Sequence, residues 1–303
     1  MKSEVLHKIM RLAVFNAIGC NLRIKRVKRQ TPSGIIDVNI HPFEIITIGG
    51  DDALIIVPGD QTLNVSITLG KIFEAKLAEH KEFSDNRTLS VGAVIADSHN
   101  PIYFLRYLAE DLLKSAKNLV RERPHMKQGA LDFLILRSQT TISTDLSDLR
   151  ARFGTITSEA QREKALLTGR PFSWDDLEKL KETTQAVKRV LSNTQLQAFR
   201  RSLREGRLAS TEFYLYQLAR ANDREKKLLR WVEAKWGIRP ADCSPPWIKL
   251  DRKGEYDRYW TIWEDIWEIR DLVPSMDETA WQRIESSIQA DEEGSIKCES
   301  KLT

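Results

Sequence analysis

The sequence predicts an α+β protein in two parts. An α/β sandwich spans residues 1–142, an all-α helical domain spans residues 143–290, and residues 291–303 form an acidic tail expected to be disordered. Three observations lead there. Apolar stripes of helical period and short β-branched runs alternate through the first part. That β signal stops near Ser143. Beyond it the chain is charged, helix-patterned and rich in tryptophan to its end.

The elements follow in order. Val5, Leu6, Ile9, Leu12 and Ala13 recur every three or four residues, which predicts an amphipathic helix from Ser3 to Ile18. A basic loop punctuated by proline and glycine is expected from Cys20 to Pro42. Two apolar runs, Phe43 to Ile48 and Ala53 to Val57, read as strands. Because both are apolar at nearly every position, both of their faces are expected to be covered. A helix over Leu63 to Lys81 and a strand over Thr88 to Ala96 come next. Pro101 then opens a long helix whose stripe runs from Ile102 through Leu108, Leu112 and Ala116 to Val120. Leu131 to Leu136 is a further buried strand, giving the order α-β-β-α-β-α-β.

In the second part, Ser173 ahead of Asp175 and Asp176 has the form of a helix N-cap followed by an acidic first turn. Helices are expected at about 174–191, 193–204, 210–236 and 257–270, interrupted by a loop at Pro245-Pro246. Trp260, Trp263 and Trp267 then fall on one helical face, more in keeping with core or interface than with base stacking.

Composition narrows the function. The chain has 303 residues, 41% hydrophobic and 30% charged, enough for one sizeable core or two modest ones. Cys20, Cys243 and Cys298 are far apart and match neither a zinc-ligand nor a disulfide pattern. No signal peptide or membrane-spanning run is present in the sequence, and a cytoplasmic location is expected. A net charge of +4 does not mark a nucleic-acid binder. Two local clusters can gather phosphates, Arg23 with Lys25, Arg26, Lys28 and Arg29, and Arg200 with Arg201, Arg204 and Arg207. A solvated face is the commoner meaning of such runs.

One segment carries chemistry. Gly49-Gly50-Asp51-Asp52 joins the two predicted strands at one end of a sheet, where side chains can face a substrate instead of the core. Glycine permits positive φ in the turn and close approach of a triphosphate or metal to the backbone. Two unit charges about 4 Å apart repel by roughly 4 kcal/mol at an effective dielectric near 20. A divalent cation relieves that repulsion. Carboxylate oxygens suit Mg²⁺ or Mn²⁺, which keep several waters and bridge to nucleotide phosphates. Such ions can clamp the attacking and leaving oxygens of a nucleotidyl transfer. Gly and Asp also occur in plain hairpin turns for conformational reasons alone.

The stretch ITIGGDDALIIVP, an amphipathic helix, and then LSVGAVIADSHNPIYFLRYLAEDLLKSAK resemble the second palm domain of the large subunit of type III CRISPR effector complexes. ALDFLILRS and TGRPFSWDDLEKL resemble that family's exit from the palm into its C-terminal domain. The resemblance implies a ferredoxin-like, nucleotidyl-cyclase-like palm that lacks its first strand, followed by an all-α helical domain. It implies synthesis of cyclic oligoadenylates from ATP, as messengers of antiviral defence, when the complex binds target RNA. Asp51 and Asp52 would hold Mg²⁺ or Mn²⁺ and activate the ribose 3′-hydroxyl, Gly49 and Gly50 would shape the turn under the nucleotide, and Lys117 would reach the triphosphate. Only two residues precede the first helix, so the palm's opening strand, the first palm and the nucleotidase domain are expected on another polypeptide, or to have been lost from a truncated product.

Three functions are then in play. The first is a nucleotidyltransferase half-site that binds ATP and works only with a partner chain, among the other subunits of a ribonucleoprotein that holds guide RNA and, through it, target RNA. The second is a catalytically inert scaffold subunit of the same complex. The third is a stand-alone cyclic-dinucleotide synthase of the GGDEF type. That resemblance is weaker, because Asp52-Ala53 stands where those enzymes favour Glu-Phe and no Arg-x-x-Asp precedes the turn.

Overall fold

We describe the fold from a computed structural model, which describes residues 2–32, 34–80, 83, 87–137, 145–238, 245–253 and 255–299. The predicted boundary at 142/143 lies outside them. The chain divides into two compact units. The first comprises residues 1–146 with 170–178, the second residues 147–169 with 179–303.

The first unit opens with α1 (Lys2–Asn21). The expected basic loop is instead a β-hairpin, β1 (Lys25–Thr31) and β2 (Gly34–Ile40), paired in antiparallel register from Lys25 opposite Ile40 to Thr31 opposite Gly34. The charges of β1 hide a strand alternation that β2 shows openly in Ile36, Val38 and Ile40. A second ribbon follows, β3 (Glu44–Gly49) and β4 (Asp52–Ile56), also antiparallel, with an irregularity between Ile45 and Thr47. Then come a short 3-10 turn (Gly59–Gln61), α2 (Thr62–Ala78), β5 (Ser90–Ala96), α3 (Ile102–Glu122) and β6 (Ala130–Leu136).

The β3–β4 ribbon is covered on one face, not two. Ile45, Ile48, Ala53, Ile55 and Val57 pack against a core built by α1 and α2 from Met10, Ala13, Val14, Ala17, Val65, Leu69 and Phe73. On the opposite face Ile46 and Ile56 remain 47% and 44% exposed. The apolar outward residues led to the expectation of a doubly covered strand, but apolarity shows what a face prefers and does not say which part of a chain supplies its cover.

β5 and β6 run parallel, and β6 pairs antiparallel with β9 (Phe172–Ser173). α3 lies on β5 and β6, burying Leu108, Leu112 and Ala116 along its predicted stripe. The contact is close because of Gly92, where a Cβ would stand 2.2 Å from the Ala109 carbonyl oxygen. Glu74 of α2 fastens the layers. Its Oε1 accepts from the Leu89 and Gly129 backbone N–H groups at 3.1 and 2.7 Å and from the Trp174 indole at 3.0 Å.

The second unit is not all-α. It holds α4 (Leu146–Phe153), followed by the hairpin β7 (Thr155–Ser158) and β8 (Glu163–Leu166), and later β10 (Ile248–Lys253) and β11 (Tyr256–Trp260). These four strands form one sheet in the order β10-β11-β8-β7. Its helices are α5 (Trp174–Val190), which starts in the first unit, α6 (Asn193–Arg204), α7 (Arg207–Arg220), α8 (Asp223–Trp236), α9 (Trp263–Ile269) and α10 (Glu278–Glu299). Ser173 caps α5 by accepting from the Asp176 N–H at 3.2 Å. The expected helix 210–236 is two helices, restarted by Asn222, which forms a capping box with Glu225.

Trp260 belongs to a strand and not to the expected helix 257–270, so the three tryptophans share no helical face. Trp260 meets Trp236 edge-on, Trp263 is buried against Phe199 and Tyr214, and Trp267 lies under Arg200 and Arg270. α10 takes in residues 291–299, the larger part of the segment expected to be disordered. No helix among the described residues is long and apolar enough to cross a membrane.

Candidate functional site

The β3–β4 turn is built as a two-residue hairpin. Gly49 pairs with Asp52, leaving Gly50 and Asp51 as its central residues. Gly50 has φ +63°, and Asp51 is not among the residues of positive φ. Positive φ at the first central residue alone is the signature of a II′ turn, which matches the twist of the flanking strands. The backbone therefore requires a glycine at position 50.

Position 49 differs. Gly49 has no positive φ, and a Cβ built on it would meet nothing within 4 Å. The fold sets no demand for glycine there, and the space above the backbone at both positions is open.

Alternation along β4 fixes where Asp52 points. Ala53, Ile55 and Val57 face the helices, so Asp52, Leu54 and Ile56 belong to the uncovered face. Asp51 and Asp52 are both exposed. Neither shares a side-chain hydrogen bond or ion pair with another described residue. Among the described residues no group of three or more His, Cys, Asp or Glu side chains could hold a metal ion. Two adjacent carboxylates over an open backbone suit a hydrated Mg²⁺ or Mn²⁺ that shares its remaining positions with phosphate oxygens, and they do not make a closed protein cage.

The other predicted site residue is not brought to the turn by its element. Lys117 is exposed on α3, which packs on β5 and β6, whereas the turn belongs to the β3–β4 ribbon. The two described cavities lie in the second unit, one of them apolar and lined by Phe199, Tyr214, Leu229 and Trp263.

Of the two basic clusters, the first lies on β1 and just before it, where Arg23, Lys25, Arg26, Lys28 and Arg29 are all exposed. Only the pairing of Arg26 with Asp37 at 3.1 Å ties a cation of this hairpin to a described acid. The second cluster is largely structural. Arg200 grips the buried Glu264 with both ends of its guanidinium at 2.8–3.1 Å, Arg204 joins at 2.7 Å, and Arg207 pairs with Glu163. Arg201 of that cluster stays exposed. Sequence reasoning missed the hairpin that carries the free cations, although the alternating residues of β2 held the signal.

Two comparisons bear on the origin of this geometry. No curated protein matches the chain. Residues 15–125 match the family model described as Cas10/Cmr2, second palm domain. The matched segment begins within α1, holds both ribbons, the GGDD turn, α2, β5 and α3, and ends just past α3. The chain thus carries a Cas10/Cmr2 second palm domain, the palm of a type III CRISPR effector large subunit.

Proposed function

We propose that this chain contributes the GGDD palm of a type III CRISPR antiviral complex and binds ATP with Mg²⁺ or Mn²⁺, making cyclic oligoadenylate together with a partner chain. Asp51 and Asp52 would hold the metal and activate the ribose 3′-hydroxyl, and Gly49 and Gly50 would shape the turn under the nucleotide. Lys117 reaches the triphosphate only where the assembled complex brings phosphate to α3. The palm works among the other subunits of a cytoplasmic ribonucleoprotein and meets guide and target RNA through them.

One observation carries this reading. Gly49 is a glycine that the turn does not need, set beside a carboxylate on the uncovered face, as expected where a ligand must approach the backbone. A metal bound there supplies charge neutralisation of the phosphates. The test is ATP binding by the purified chain with and without Mg²⁺. Binding is expected to need the metal and to weaken at least about tenfold, or about 1.4 kcal/mol, in the Asp51→Asn plus Asp52→Asn double variant. Metal-independent or unchanged binding overturns the assignment.

A second reading is favoured by the exposure of both carboxylates and the lack of a third acidic group beside them among the described residues. The palm would then be an inert scaffold. That reading predicts normal assembly of the complex and no metal-dependent ATP binding in either protein.

A further inference from the structure

The net charge of the chain resides in one hairpin. Residues 23–40 hold five cations, Arg23, Lys25, Arg26, Lys28 and Arg29, against the single acid Asp37, an excess of +4 that equals the net charge of all 303 residues. The rest of the chain is therefore balanced. Surface cations elsewhere stand beside acids, as Arg106 does with Glu110, Lys114 with Asp111 and Arg152 with Asp148. On the hairpin Arg26 has such a partner, while Arg23, Lys25, Lys28 and Arg29 have none among the described residues.

The four cations within the hairpin's strands all belong to β1, and the register divides them between the two faces of the ribbon. Lys25 and Arg29, opposite Ile40 and Ile36, share one face with Val27, whereas Arg26 and Lys28, opposite Asn39 and Asp37, share the other. Among the described residues β1 pairs with β2 alone, so its outer edge is free. Alternate residues turn their N–H groups toward that edge, and the flexible stems of lysine and arginine bend round to it from either face. A flat acidic surface laid on one face of the ribbon meets half of these charges. A single flexible row of anions laid along the edge meets them all.

Edge protection does not account for the cations. Lysine on an edge strand discourages pairing, yet β2 has an edge as free as that of β1 and carries no cation, with Ile35 and Ile36 69% and 47% exposed. Residues 23–40 also contain no aromatic side chain on which a base can stack. The contacts on offer are to phosphates, which position a strand without reading its sequence.

We propose that the outer edge of β1 binds the sugar-phosphate backbone of single-stranded RNA, whatever its sequence. This is a direct contact, added to those made through other subunits. It rests on the function proposed above only for RNA in place of DNA.

The test uses the 303-residue chain without ATP or Mg²⁺. The probes are labelled oligouridylate, oligocytidylate and oligothymidylate, the last a DNA, each of about 20 nucleotides. Fluorescence anisotropy is expected to give the two RNAs affinities within about threefold of each other, and a Kd that rises with salt at a logarithmic slope of about 3, as for four cations on a single strand. Removing the unpartnered cations together, by Arg23→Ser, Lys25→Thr, Lys28→Thr and Arg29→Thr, is expected to weaken binding at least about tenfold. Removing four exposed cations elsewhere, by Lys8→Gln, Arg11→Gln, Arg123→Gln and Arg201→Gln, lowers the net charge equally and is expected to change binding by less than about threefold. Arg23→Lys plus Arg29→Lys keeps the charge and is expected to bind as the wild type does. In the wild type, saturating oligouridylate is expected to slow amide hydrogen exchange in residues 25–40, an isolated and hence marginal hairpin, and to leave residues 44–56 unchanged. Equal losses in the two charge-removing variants, a salt slope below about 1, unchanged exchange in residues 25–40, displacement by polyglutamate of equal charge as effective as by RNA, or a tenfold preference for the DNA overturns the proposal. A failure of Mg²⁺-dependent ATP binding at the turn leaves this result untouched, and the reverse also holds.

Discussion

At the scale of the residue, the two adjacent glycines of the turn have separable roles. Gly50 occupies the left-handed region at φ +63°, where an L side chain costs about 1–2 kcal/mol. Gly49 has ordinary φ and open space around it. Gly50→Ala is therefore expected to lower unfolding stability by about 1 kcal/mol in urea titration. Gly49→Ala is expected to leave stability within about 0.5 kcal/mol and to weaken Mg²⁺-dependent ATP binding. Equal losses of stability at the two positions would show that position 49 serves only the turn.

Glu74 gives a prediction with a pH sign. Burial raises its carboxyl above the usual carboxylate range, and this outweighs the N–H groups of Trp174, Leu89 and Gly129 that favour the charged form. A folded pKa above the unfolded one means that the native state holds the proton more tightly. The resulting stabilisation is complete below about pH 4.5 and is lost as pH rises through the raised folded value. Gln at this position keeps the acceptor oxygen and stays neutral. Glu74→Gln is thus expected to gain stability relative to wild type between pH 4 and pH 7 in urea titrations. Glu74→Ala leaves three donors without their acceptor and is expected to cost at least about 2 kcal/mol at both pH values.

At the scale of the element, α3 packs closely on β5. The missing Cβ of Gly92 lets the strand approach the helix backbone, with the Ala109 oxygen at 2.2 Å and the Leu113 nitrogen at 2.4 Å from where a Cβ would lie. Main-chain atoms in the middle of a helix cannot step aside as a flexible side chain can. Gly92→Ala is expected to cost about 3 kcal/mol, at the upper end for overpacking, read as a fall in the unfolding midpoint. These elements were legible in the sequence because their signal is local. The stripe through Leu108, Leu112 and Ala116 and the β-branched run of β6 need only a few turns of chain to be seen. The hairpin of β1 and β2 was not, since Lys25, Arg26, Lys28 and Arg29 swamp the alternation of Val27 with its partners. The strands of the second unit are four to six residues long, three of the four carry charges, and their two hairpins are joined by a parallel pairing of β8 with β11 across about 90 residues of chain. Nothing local announces such a strand. The GGDD turn was legible as a turn, while the face on which Asp52 stands became visible only with α1 and α2 in place.

At the scale of the whole molecule, the chain leaves the palm and comes back. Residues 1–146 and 170–178 form one unit although residues 147–169 belong to the other. What returns is structural. Phe172 and Ser173 add the strand β9 beside β6, the Arg170 guanidinium donates to the Phe133 carbonyl at 2.8 Å, and the Trp174 indole is the third donor to Glu74. Trp174 is also among the largest fully buried side chains. A palm cut where the β signal stops therefore loses an aromatic core residue, one edge of a sheet and a partner of Glu74. Truncating a large aromatic side chain in a core alone costs about 3–5 kcal/mol, a large share of the 5–15 kcal/mol that keeps a typical domain folded. A fragment of residues 1–146 is thus expected to unfold without a cooperative transition or with a greatly lowered midpoint. A fragment of residues 1–178 is expected to recover a single sharp transition. Circular dichroism melts of the two fragments decide this, and a cooperative melt of the shorter one at the temperature of the longer would show that the returning segment is dispensable to the palm.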